Sequence, residues 1–209
     1  MRKMLTIALP KGRILTEASQ LFKRVGLIEE EIIEGRKLVI ERPEENLGII
    51  LAKPQDVPTY VKYGVTDLGI VGKDILMEAN ESIYELMDLK IGSCRLSLCG
   101  LEGRELPRGE MLRIATKYPD ITAKYFLQKG QQVEIIKLNG SVELAPLLGL
   151  SDFIIDIVST GKTLKENGLL ELEVIFDNIT SRLIANESSY HIKTKVIDAF
   201  VNKLEEGVK

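Results

Sequence analysis

The sequence has few of the residues that mark metalloproteins and disulfide-stabilised proteins. Its 209 residues include one histidine and two cysteines, and no group of His, Cys, Asp or Glu has the spacing of a metal site. Cys94 and Cys99 are five positions apart in a predicted strand. Their side chains then point to opposite faces, so a disulfide between them is not expected. Reduced thiols fit the cytoplasm better than an oxidising compartment.

Strong net charge and long apolar runs are also lacking. The formal net charge of −3 gives no reason to expect nucleic acid as a partner. No apolar run approaches the roughly 20 residues that a membrane-spanning helix needs. The basic start soon meets Lys11 and Arg13, which does not fit a signal peptide. We therefore expect a cytoplasmic protein of one large or two modest domains that binds neither nucleic acid nor membrane.

The most informative stretch is residues 141–168. Phe153–Ile155 is an apolar run typical of a buried strand, and Asp156 follows it. Ser159–Thr163 is a turn of small hydroxylated residues around a glycine, and it leads into a short predicted helix that ends at Gly168. Such a turn directs several backbone N–H groups at an anion, most readily a phosphate. Because Asp156 can accept hydrogen bonds from hydroxyls, the stretch suggests a ribose 5-phosphate site.

Two other interpretations of this turn compete with a phosphate site. Gly161, Lys162 and Thr163 match the end of an ATPase phosphate loop, but the first glycine of that motif would fall at Asp156, so this interpretation is rejected. A plain strand–turn–helix connection would also use serine, threonine and glycine as turn and cap residues. The residue types alone leave the phosphate site and the plain turn open.

The spacing of ten residues around the turn resembles the signature of the ATP phosphoribosyltransferase family, without a gap. Those residues are Glu143, Gly149, Ser151, Ile154, Asp156, Ile157, Thr160, Gly161, Thr163 and Leu164. The resemblance implies that five residues hold the 5-phosphate of phosphoribosyl pyrophosphate: Ser159, Thr160, Gly161, Lys162 and Thr163. The commoner phosphoribosyltransferase loop has two adjacent acids, whereas Ile157 follows Asp156 here. We expect Glu143 to supply the second ribose contact.

The first part of the chain places basic residues where predicted strands end. After a strand over residues 5–9, Lys11, Gly12 and Arg13 form a turn at the start of a helix whose apolar stripe ends at Gly26. Cations at a helix start oppose its dipole, which favours a functional role over two solvated charges. Arg36 precedes a predicted strand pair, 37–40 with 48–51, and by residue type alone it is a charged strand edge. The family resemblance, which includes P-K-G-R, implies instead that Arg36 reaches pyrophosphate.

Residues 53–74 reproduce a second block of the family pattern, with Lys53 where arginine is common. Asp56 is predicted to cap a helix that ends before Gly64. The glycines at 69 and 72 would allow close backbone approach to a ligand at a strand end, although this spacing alone is weak evidence. Alternating strands and helices with glycines at strand ends indicate an α/β fold.

The remaining chain predicts a second domain and a return to the first. Residues 86–100 form one strand or two, followed by strand 112–116, helix 120–129 and strand 133–138. Pro146 makes the next helix short or late in starting. Strands 172–176 and 182–185 are expected to lead back to the first domain, where Ser189 caps a final helix with an apolar stripe from Ile192 to Leu204. His191 is interpreted as a surface residue. The predicted domains are 1–90 with 175–209, and 91–174.

The resemblance covers essentially the whole chain and implies a fold and an activity. The fold is two α/β lobes resembling type II periplasmic binding proteins, with the active site in the cleft between them. The activity is transfer of the 5-phosphoribosyl group of phosphoribosyl pyrophosphate to N1 of the adenine of ATP, with release of pyrophosphate, as the first step of histidine biosynthesis. Lys11, Arg13 and Arg36 would stabilise the leaving pyrophosphate, with Mg²⁺ bound mainly through substrate phosphates. The expected ATP contacts are Gly12, Lys53, Asp67, Gly69, Gly72, Lys73, Arg95, Lys117 and Tyr118.

The chain resembles the short form of the family, which implies a partner. Short forms act as a catalytic homodimer within a hetero-oligomer that includes a regulatory subunit resembling histidyl-tRNA synthetase. The competing hypothesis is a substrate-binding module of the same two-lobed fold that holds a small anion without chemistry. The basic start of the chain, which does not fit a signal peptide, and the ribose acid beside the phosphate turn speak against that module.

Overall fold

A computed structural model describes residues 4–79, 81–105, 107 and 110–208. They form two compact α/β units, the first within Met1–Ser93 and Thr180–Lys209, and the second within Cys94–Ile179. The second unit therefore extends five residues beyond the predicted boundary at 174. The reason is that the strand predicted at 172–176 is part of a longer strand that pairs with the second unit's own sheet.

The first unit is built on a six-stranded mixed sheet. Its strands, in spatial order β2-β3-β1-β4-β11-β5, are β1 (Leu5–Pro10), β2 (Val39–Arg42), β3 (Leu47–Ala52), β4 (Leu68–Gly72), β5 (Tyr84–Asp88) and β11 (Ser181–Ala185). Strand β1 runs parallel to β3 on one side and to β4 on the other. The carboxyl ends of these three central strands therefore meet at one edge of the sheet.

Helices cover this sheet with apolar faces. They are α1 (Arg13–Arg24), α2 (Val57–Lys62), which follows a 3₁₀ turn at Pro54–Asp56, α3 (Lys73–Ala79) and α7 (Glu187–Gly207). The stripe predicted for α1 is packed, since Ala18, Leu21 and Phe22 are buried. Phe22 meets Phe200 of α7 edge to face, with ring centroids 5.5 Å apart. The core of the unit lies between these two helices and the sheet.

Helix α7 differs from its prediction at its first turns. Its cap is Asn186, whose side chain accepts a hydrogen bond from the N–H of Ser189 at 2.9 Å, so Ser189 is not the cap. Ile192 is 82% exposed, whereas Ile197 and Leu204 are fully buried. The packed stripe therefore begins later than predicted, beyond a kink at Lys193 where the backbone is not helical.

The second unit is built on a five-stranded sheet. Its strands, in spatial order β10-β6-β9-β7-β8, are β6 (Cys94–Leu101), β7 (Leu112–Thr116), β8 (Val133–Lys137), β9 (Phe153–Val158) and β10 (Leu169–Ile179). Strands β8, β7 and β9 are parallel, and β6 is antiparallel to both β9 and β10. The region predicted as one strand or two is two, β5 and β6, which lie in different units.

In the described part of the second unit, three helices connect the strands: α4 (Pro119–Gln128), α5 (Leu144–Leu147) and α6 (Lys162–Glu166). Helix α5 is four residues long, which agrees with the limit set by Pro146. Within the part of the chain that the structure describes, no helix combines the length and hydropathy that a bilayer crossing requires.

Candidate active site

The carboxyl edge of the second unit's sheet gathers the residues predicted for phosphoribosyl pyrophosphate. Asp156 lies near the end of β9. Residues 159–163, named here loop 159–163, are the turn that directly follows this strand and the first two residues of α6. Lys117 follows the parallel neighbour β7, and Glu143 follows β8 at the start of α5. Because parallel strands end at the same edge, the fold brings these groups into one region.

Asp156 is a buried carboxylate with incomplete charge compensation. Its side chain is 8% exposed, and its Oδ2 lies 3.5 Å from Nζ of Lys117. Its Oδ1 accepts the backbone N–H of Ile157 at 2.9 Å. Burial raises the pKa of Asp156 and nearby Glu143 adds to that rise, whereas Lys117 and the Ile157 N–H oppose it without cancelling it. The site thus holds a carboxylate that would gain from additional hydrogen-bond donors.

Loop 159–163 forms the predicted turn between a strand and a short helix. Gly161 has φ of 73°, a left-handed conformation that glycine adopts without strain. The hydroxyl Oγ1 of Thr160 faces the N–H of Lys162 at 3.4 Å, and Lys162 forms an exposed pair with Glu166. A Cβ atom on Gly161 would meet Cγ1 of Val158 at 3.8 Å, which is ordinary contact. The demand for glycine here therefore comes from backbone conformation and not from crowding within the chain.

Arg95 lies beside this loop, although it was predicted to contact ATP. Its guanidinium forms a two-pronged pair with Glu171 of β10, with Nε–Oε1 at 2.7 Å and Nη2–Oε2 at 2.5 Å. Its Nη1 donates to the carbonyl oxygen of Ser159 at 3.4 Å. The Glu171 pair raises the pKa of Arg95, and Arg95 lowers that of Glu171. The arginine links β10 to the first residue of loop 159–163.

Glu171 is a residue that sequence reasoning did not identify. It also accepts a hydrogen bond from the Ser97 hydroxyl at 3.2 Å. Ser97 pairs with Asp156 across β6 and β9, so Arg95, Ser97 and Asp156 share one face of the sheet. A glutamate within an alternating strand gives no local signal for this role, because its partner is 76 positions away in the chain.

Cys99 lies on the same face as Asp156 and is fully buried. Burial, with smaller contributions from Glu171 and Asp156, raises the pKa of the Cys99 thiol to about 12. The thiol is therefore protonated at neutral pH and has no nucleophilic character. Among the described residues, Cys94 and Cys99 are not joined in a disulfide, which agrees with the expectation from their spacing.

The carboxyl edge of the first unit's sheet gathers most of the predicted basic residues. Lys11 directly follows β1, and its backbone N–H donates to the carbonyl oxygen of Ala52 at the end of β3 at 3.0 Å. Lys53 follows β3, and Lys73 follows β4. Each of these three parallel strands is therefore followed directly by a lysine at the same edge of the sheet.

Arg13 begins α1 and is exposed at this edge. Its Nη2 donates to the carbonyl oxygens of Gly92 and Ser93 at 3.3 and 3.4 Å, and its Nε lies 3.7 Å from Oε1 of Glu17. Gly12 precedes it with φ of 89°. The backbone N–H of Gly12 donates to Oε2 of Glu34 at 3.0 Å. A carboxylate of the chain thus binds one N–H at the start of α1.

Arg36 lies near the same edge, because the residues on either side of it in the chain contact that edge. It lies on the loop that carries Glu34, two residues before Leu38, whose carbonyl oxygen accepts the N–H of Leu51 at 2.8 Å. Its side chain is exposed. The three residues predicted to stabilise pyrophosphate, Lys11, Arg13 and Arg36, are therefore grouped at one end of the first unit's sheet.

Asp67 does not lie with the predicted ATP contacts. It precedes β4, so it is at the amino edge of the parallel strands, opposite Lys11 and Lys53. Its Oδ2 accepts hydrogen bonds from the N–H and hydroxyl of Thr6 at 2.8 and 2.9 Å and from Lys193 of α7 at 2.6 Å. Burial raises the pKa of Asp67, but the bonds from Lys193, Thr6 and Ser189 outweigh it and lower the pKa overall. Asp67 connects α7 to the sheet and is a structural residue.

Gly69 is also explained by packing. A Cβ atom there would come within 2.7 Å of Val61 and 2.9 Å of Val57, so glycine lets α2 lie directly on β4. Gly72 is at the carboxyl end of β4, and a Cβ on it would collide with the carboxylate of Asp74 at 2.2 Å. Lys73 pairs with Glu85 at 2.5 Å. Of the two glycines, Gly72 alone lies at the predicted edge.

The predictions for Asp56, Tyr118 and His191 have different outcomes. Asp56 occupies the position before α2 but makes no side-chain cap hydrogen bond, because a 3₁₀ turn precedes the helix. The side chain of Tyr118 is buried, which limits it to a backbone or edge contact with a ligand. His191 is exposed, with its ring 6.2 Å from that of Tyr84.

Comparison with known proteins agrees with the sequence signature. The profile of the family described as "HisG: ATP phosphoribosyltransferase" matches residues 53–206. The ATP phosphoribosyltransferase of Geobacillus sp. is 57% identical over 98% of this chain and 99% of its own length. That of Bacillus subtilis is 55% identical over 98% of this chain and 95% of its own length. The chain belongs to the ATP phosphoribosyltransferase family.

Solved structures support the same assignment for the fold. A chain of the ATP phosphoribosyl transferase (HisG:HisZ) complex from Thermotoga maritima is similar with a TM-score of 0.84 and 39% identity, covering 98% of both chains. The periplasmic aliphatic sulphonate binding protein SsuA from Escherichia coli is similar with a TM-score of 0.64 at 14% identity, covering 99% of this chain and 73% of its own. The second likeness confirms the predicted fold class and carries no functional information.

Family membership establishes the activity. The chain transfers the 5-phosphoribosyl group of phosphoribosyl pyrophosphate to N1 of the adenine of ATP and releases pyrophosphate, which is the first step of histidine biosynthesis. This function confirms the one predicted from the sequence signature.

Proposed function

We propose that the second unit binds the ribose 5-phosphate half of phosphoribosyl pyrophosphate. The observation that carries this assignment is the buried Asp156 carboxylate, which lies beside Lys117 and directly before loop 159–163. Asp156 and Glu143 accept hydrogen bonds from the ribose 2- and 3-hydroxyls. The N–H groups and hydroxyls of Ser159, Thr160, Gly161 and Thr163 bind the 5-phosphate, and Lys162 adds positive charge.

Arg95 and Lys117 belong to this half of the substrate in our proposal, and not to ATP. Arg95 holds the Ser159 carbonyl and is itself fixed by Glu171. It therefore sets the start of loop 159–163. Lys117 supports the ionised form of Asp156 by its charge. Both residues act on the ribose phosphate through the groups that they position.

The first unit stabilises the pyrophosphate half. Lys11, Arg13 and Arg36 present three cations at the end of its sheet, and the start of α1 adds backbone N–H donors. A guanidinium fork can bind two phosphate oxygens at once, which suits Arg13 and Arg36 to a leaving group with several oxygens. Lys53, Lys73, Gly12 and Gly72 remain as candidate contacts for ATP, and the contact predicted for Tyr118 stays a prediction.

The reaction requires no strong base. The adenine N1 is a lone-pair nucleophile, so the barrier lies in breaking the bond between the anomeric carbon and pyrophosphate. Positive character then develops on the ribose while negative charge grows on pyrophosphate. Arg13, Arg36 and Lys11 bind the growing negative charge, and Asp156 and Glu143 hold the ribose at a fixed angle of attack.

Mg²⁺ fits the donor set, and when bound it neutralises charge on the pyrophosphate oxygens. Among the described residues there is no group of three or more His, Cys, Asp or Glu that could hold a metal ion by itself. A hard cation that keeps substrate phosphates and water as ligands needs only one or two carboxylates. Asp156 and Glu143 are the carboxylates that would contact such an ion at the ribose end.

The assignment of the two halves can be tested with half-ligands. Ribose 5-phosphate and pyrophosphate are titrated separately by calorimetry into the full chain and into two variants, Thr160→Ala and Arg13→Ala. Thr160→Ala should weaken ribose 5-phosphate about fivefold or more by loss of a phosphate hydrogen bond and leave pyrophosphate unchanged. Arg13→Ala should do the reverse. Equal losses of both ligands in either variant would contradict the division.

Kinetics provide an independent measurement for Arg13. Because pyrophosphate gains charge in the transition state, Arg13→Ala should slow the single-turnover rate more than it weakens ATP binding. An unchanged single-turnover rate with a large loss of ATP affinity would move Arg13 to the nucleotide.

We further propose that the chain works as a homodimer within a hetero-oligomer that contains a regulatory subunit resembling histidyl-tRNA synthetase. The supporting observation is the similarity over nearly full length to a chain of the HisG:HisZ complex. Histidine feedback then depends on the partner, and coupling runs through the interface between the subunits. Histidine should inhibit the complex and leave the chain alone nearly unaffected. Saturable inhibition of the chain alone at comparable histidine concentrations would contradict this proposal.

The cytoplasm is the proposed location. ATP and phosphoribosyl pyrophosphate are cytoplasmic metabolites, and the chain keeps both cysteines out of a disulfide within its described part.

A further inference from the structure

Glu17 links the proposed catalytic residue Arg13 to residues 92 and 93 of the first unit, which are called the segment below. It lies on α1 one turn after Arg13. Its Oε2 accepts the backbone N–H of Gly92 at 2.7 Å, and its Oε1 lies 3.7 Å from Nε of Arg13. One carboxylate therefore contacts both the arginine side chain and a backbone N–H that is 75 positions away.

Arg13 binds the same segment from its other side. Its Nη2 donates to the carbonyl oxygens of Gly92 and Ser93 at 3.3 and 3.4 Å. The two side chains thus complement each other, since Glu17 accepts from the segment while Arg13 donates to it. The Arg13 guanidinium therefore contacts the Glu17 carboxylate and the carbonyl oxygens of Gly92 and Ser93.

The segment is held in place by close packing and by the hydrogen bonds of its neighbours, so it can restrict the Glu17 side chain. Gly92 has φ of +66°, and a Cβ there would come within 2.9 Å of Oγ of Ser181 and 3.2 Å of Cγ1 of Ile14. The backbone of Ser181 is hydrogen-bonded on both sides, donating to Ile91 at 2.9 Å and accepting from Leu89 at 2.9 Å. Residue 92 therefore has little room to shift, and its N–H fixes the carboxylate of Glu17.

We propose that Glu17 is a positioning residue for the reaction, which sets the orientation of the Arg13 guanidinium toward the leaving pyrophosphate. The inference rests on the proposed role of Arg13. An arginine side chain has many rotamers, and an exposed one without a fixed partner loses entropy when it binds the transition state. By restricting those rotamers beforehand, Glu17 lowers that cost at the point where charge develops.

The pair is not expected to act through stability. The Arg13 and Glu17 side chains are 53% and 33% exposed, and ion pairs of this kind contribute little to folding. The effect of Glu17 should therefore appear in the rate of the chemical step, and it should depend on the presence of Arg13. This dependence separates positioning from a general structural role.

The test is a double-mutant cycle measured by single-turnover pyrophosphate release with ATP, phosphoribosyl pyrophosphate and Mg²⁺. Glu17→Gln keeps an oxygen acceptor for the Gly92 N–H but removes the charge beside Arg13. It should lower the rate about three- to tenfold with little change in ATP affinity or melting temperature. In the Arg13→Ala background the same substitution should have no further effect. Glu31→Gln is the matched control, because Glu31 pairs with Lys23 of α1 at 3.8 Å with similar exposure.

The outcomes distinguish this inference from the proposed function. If Arg13→Ala retains the rate of the unmodified chain, the role of Arg13 itself is wrong. If Arg13→Ala is slow but Glu17→Gln behaves like Glu31→Gln, or if its effect persists undiminished without Arg13, Glu17 does not position Arg13. Non-additive loss confined to the Glu17 and Arg13 pair supports the inference.

Discussion

Asp156→Asn should make the substrate-free protein more stable while it weakens substrate binding. Burial and the nearby Glu143 raise the pKa of Asp156 in the folded chain. A raised pKa means that folding favours the protonated carboxyl, so ionisation at neutral pH costs stability. Asparagine has nearly the same shape and cannot ionise. It avoids this cost and leaves Lys117, which is 25% exposed, within reach of water.

Single stabilising substitutions commonly add about 0.5–2 kcal/mol to the free energy of unfolding, and we expect Asp156→Asn to fall in that range. In a chain of this size, that corresponds to about 2–4 °C in melting temperature for each kcal/mol. The loss of substrate affinity should be larger, since hydrogen bonds to a charged group contribute about 1.5–3 kcal/mol, or roughly ten- to a hundredfold in the dissociation constant.

The assay combines thermal unfolding with calorimetry of phosphoribosyl pyrophosphate. The stability gain should be present at pH 7 and disappear as the pH falls below the ordinary aspartate value of 3.8, where the carboxyl is protonated in both states. A destabilised variant at pH 7 with unchanged substrate affinity would refute the reasoning.

Asp152→Asn provides a control of opposite sign, four residues earlier. Burial raises the pKa of Asp152, but the Arg113 N–H at 2.8 Å and the guanidinium groups of Arg113 and Arg104 outweigh it and lower the pKa overall. Its ionised form therefore stabilises the fold above the ordinary aspartate pKa, and this contribution is lost as the pH falls. Asp152→Asn should lower the melting temperature at pH 7.

Three further predictions concern other contacts. Glu34→Gln should raise the affinity for pyrophosphate about two- to fivefold, because the Glu34 carboxylate now occupies the N–H of Gly12; unchanged affinity by calorimetry would exclude this competition. Lys193→Met should destabilise the chain by about 3 kcal/mol in urea unfolding, since it leaves the buried Asp67 carboxylate without its cation; a loss below about 0.5 kcal/mol would contradict the structural role of that pair. Gly161→Val should lower the free energy of unfolding by about 1–2 kcal/mol, because valine is strained in the left-handed backbone conformation of this position. It should also weaken the binding of phosphoribosyl pyrophosphate more than that of ATP; an equal loss of affinity for both substrates would contradict the role of loop 159–163 in binding phosphoribosyl pyrophosphate.

The local parts of the site were predictable from the sequence. The apolar run before Asp156 and the small residues after it predict a buried strand, a turn around a glycine and a short helix by local rules alone, and the structure contains all three. The basic turn at Lys11–Arg13 likewise follows from a strand end and the start of an amphipathic helix. Such features depend on neighbouring residues, which a sequence displays directly.

The contacts that depend on strand direction were not predictable in this way. Asp67 is close in sequence to Gly72 and Lys73, which suggests a common site, but a strand of five residues separates them and places them at opposite edges of the sheet. Similarly, strand-forming residues predict a strand at 172–176 but do not say which sheet it joins. Pairing with β6 assigns it to the second unit.

Partners far apart in the chain were missed for the same reason. Glu171 binds Arg95, and Glu17 binds the N–H of Gly92, each across about 75 positions. Neither glutamate belongs to a motif, and an exposed or strand glutamate has many ordinary explanations. Their roles appear only when tertiary packing brings them to residues that do have a sequence signature.

The cost of the buried carboxylate leads to a final expectation about the complex with substrate. Arg95 compensates Glu171 on the shared face of the second unit's sheet, but Lys117 at 3.5 Å compensates Asp156 only in part. Hydroxyl donors from a bound ribose would supply the hydrogen bonds that the Asp156 carboxylate lacks.

At a ligand concentration 100 times the dissociation constant, binding stabilises the unmodified chain by about 2.7 kcal/mol. Asp156→Asn, with a ten- to hundredfold weaker affinity, would gain only about 0.4–1.4 kcal/mol under the same conditions. Saturating phosphoribosyl pyrophosphate should therefore remove the stability advantage of the variant in thermal unfolding, and an advantage that persists undiminished would show that Asp156 does not bind the substrate.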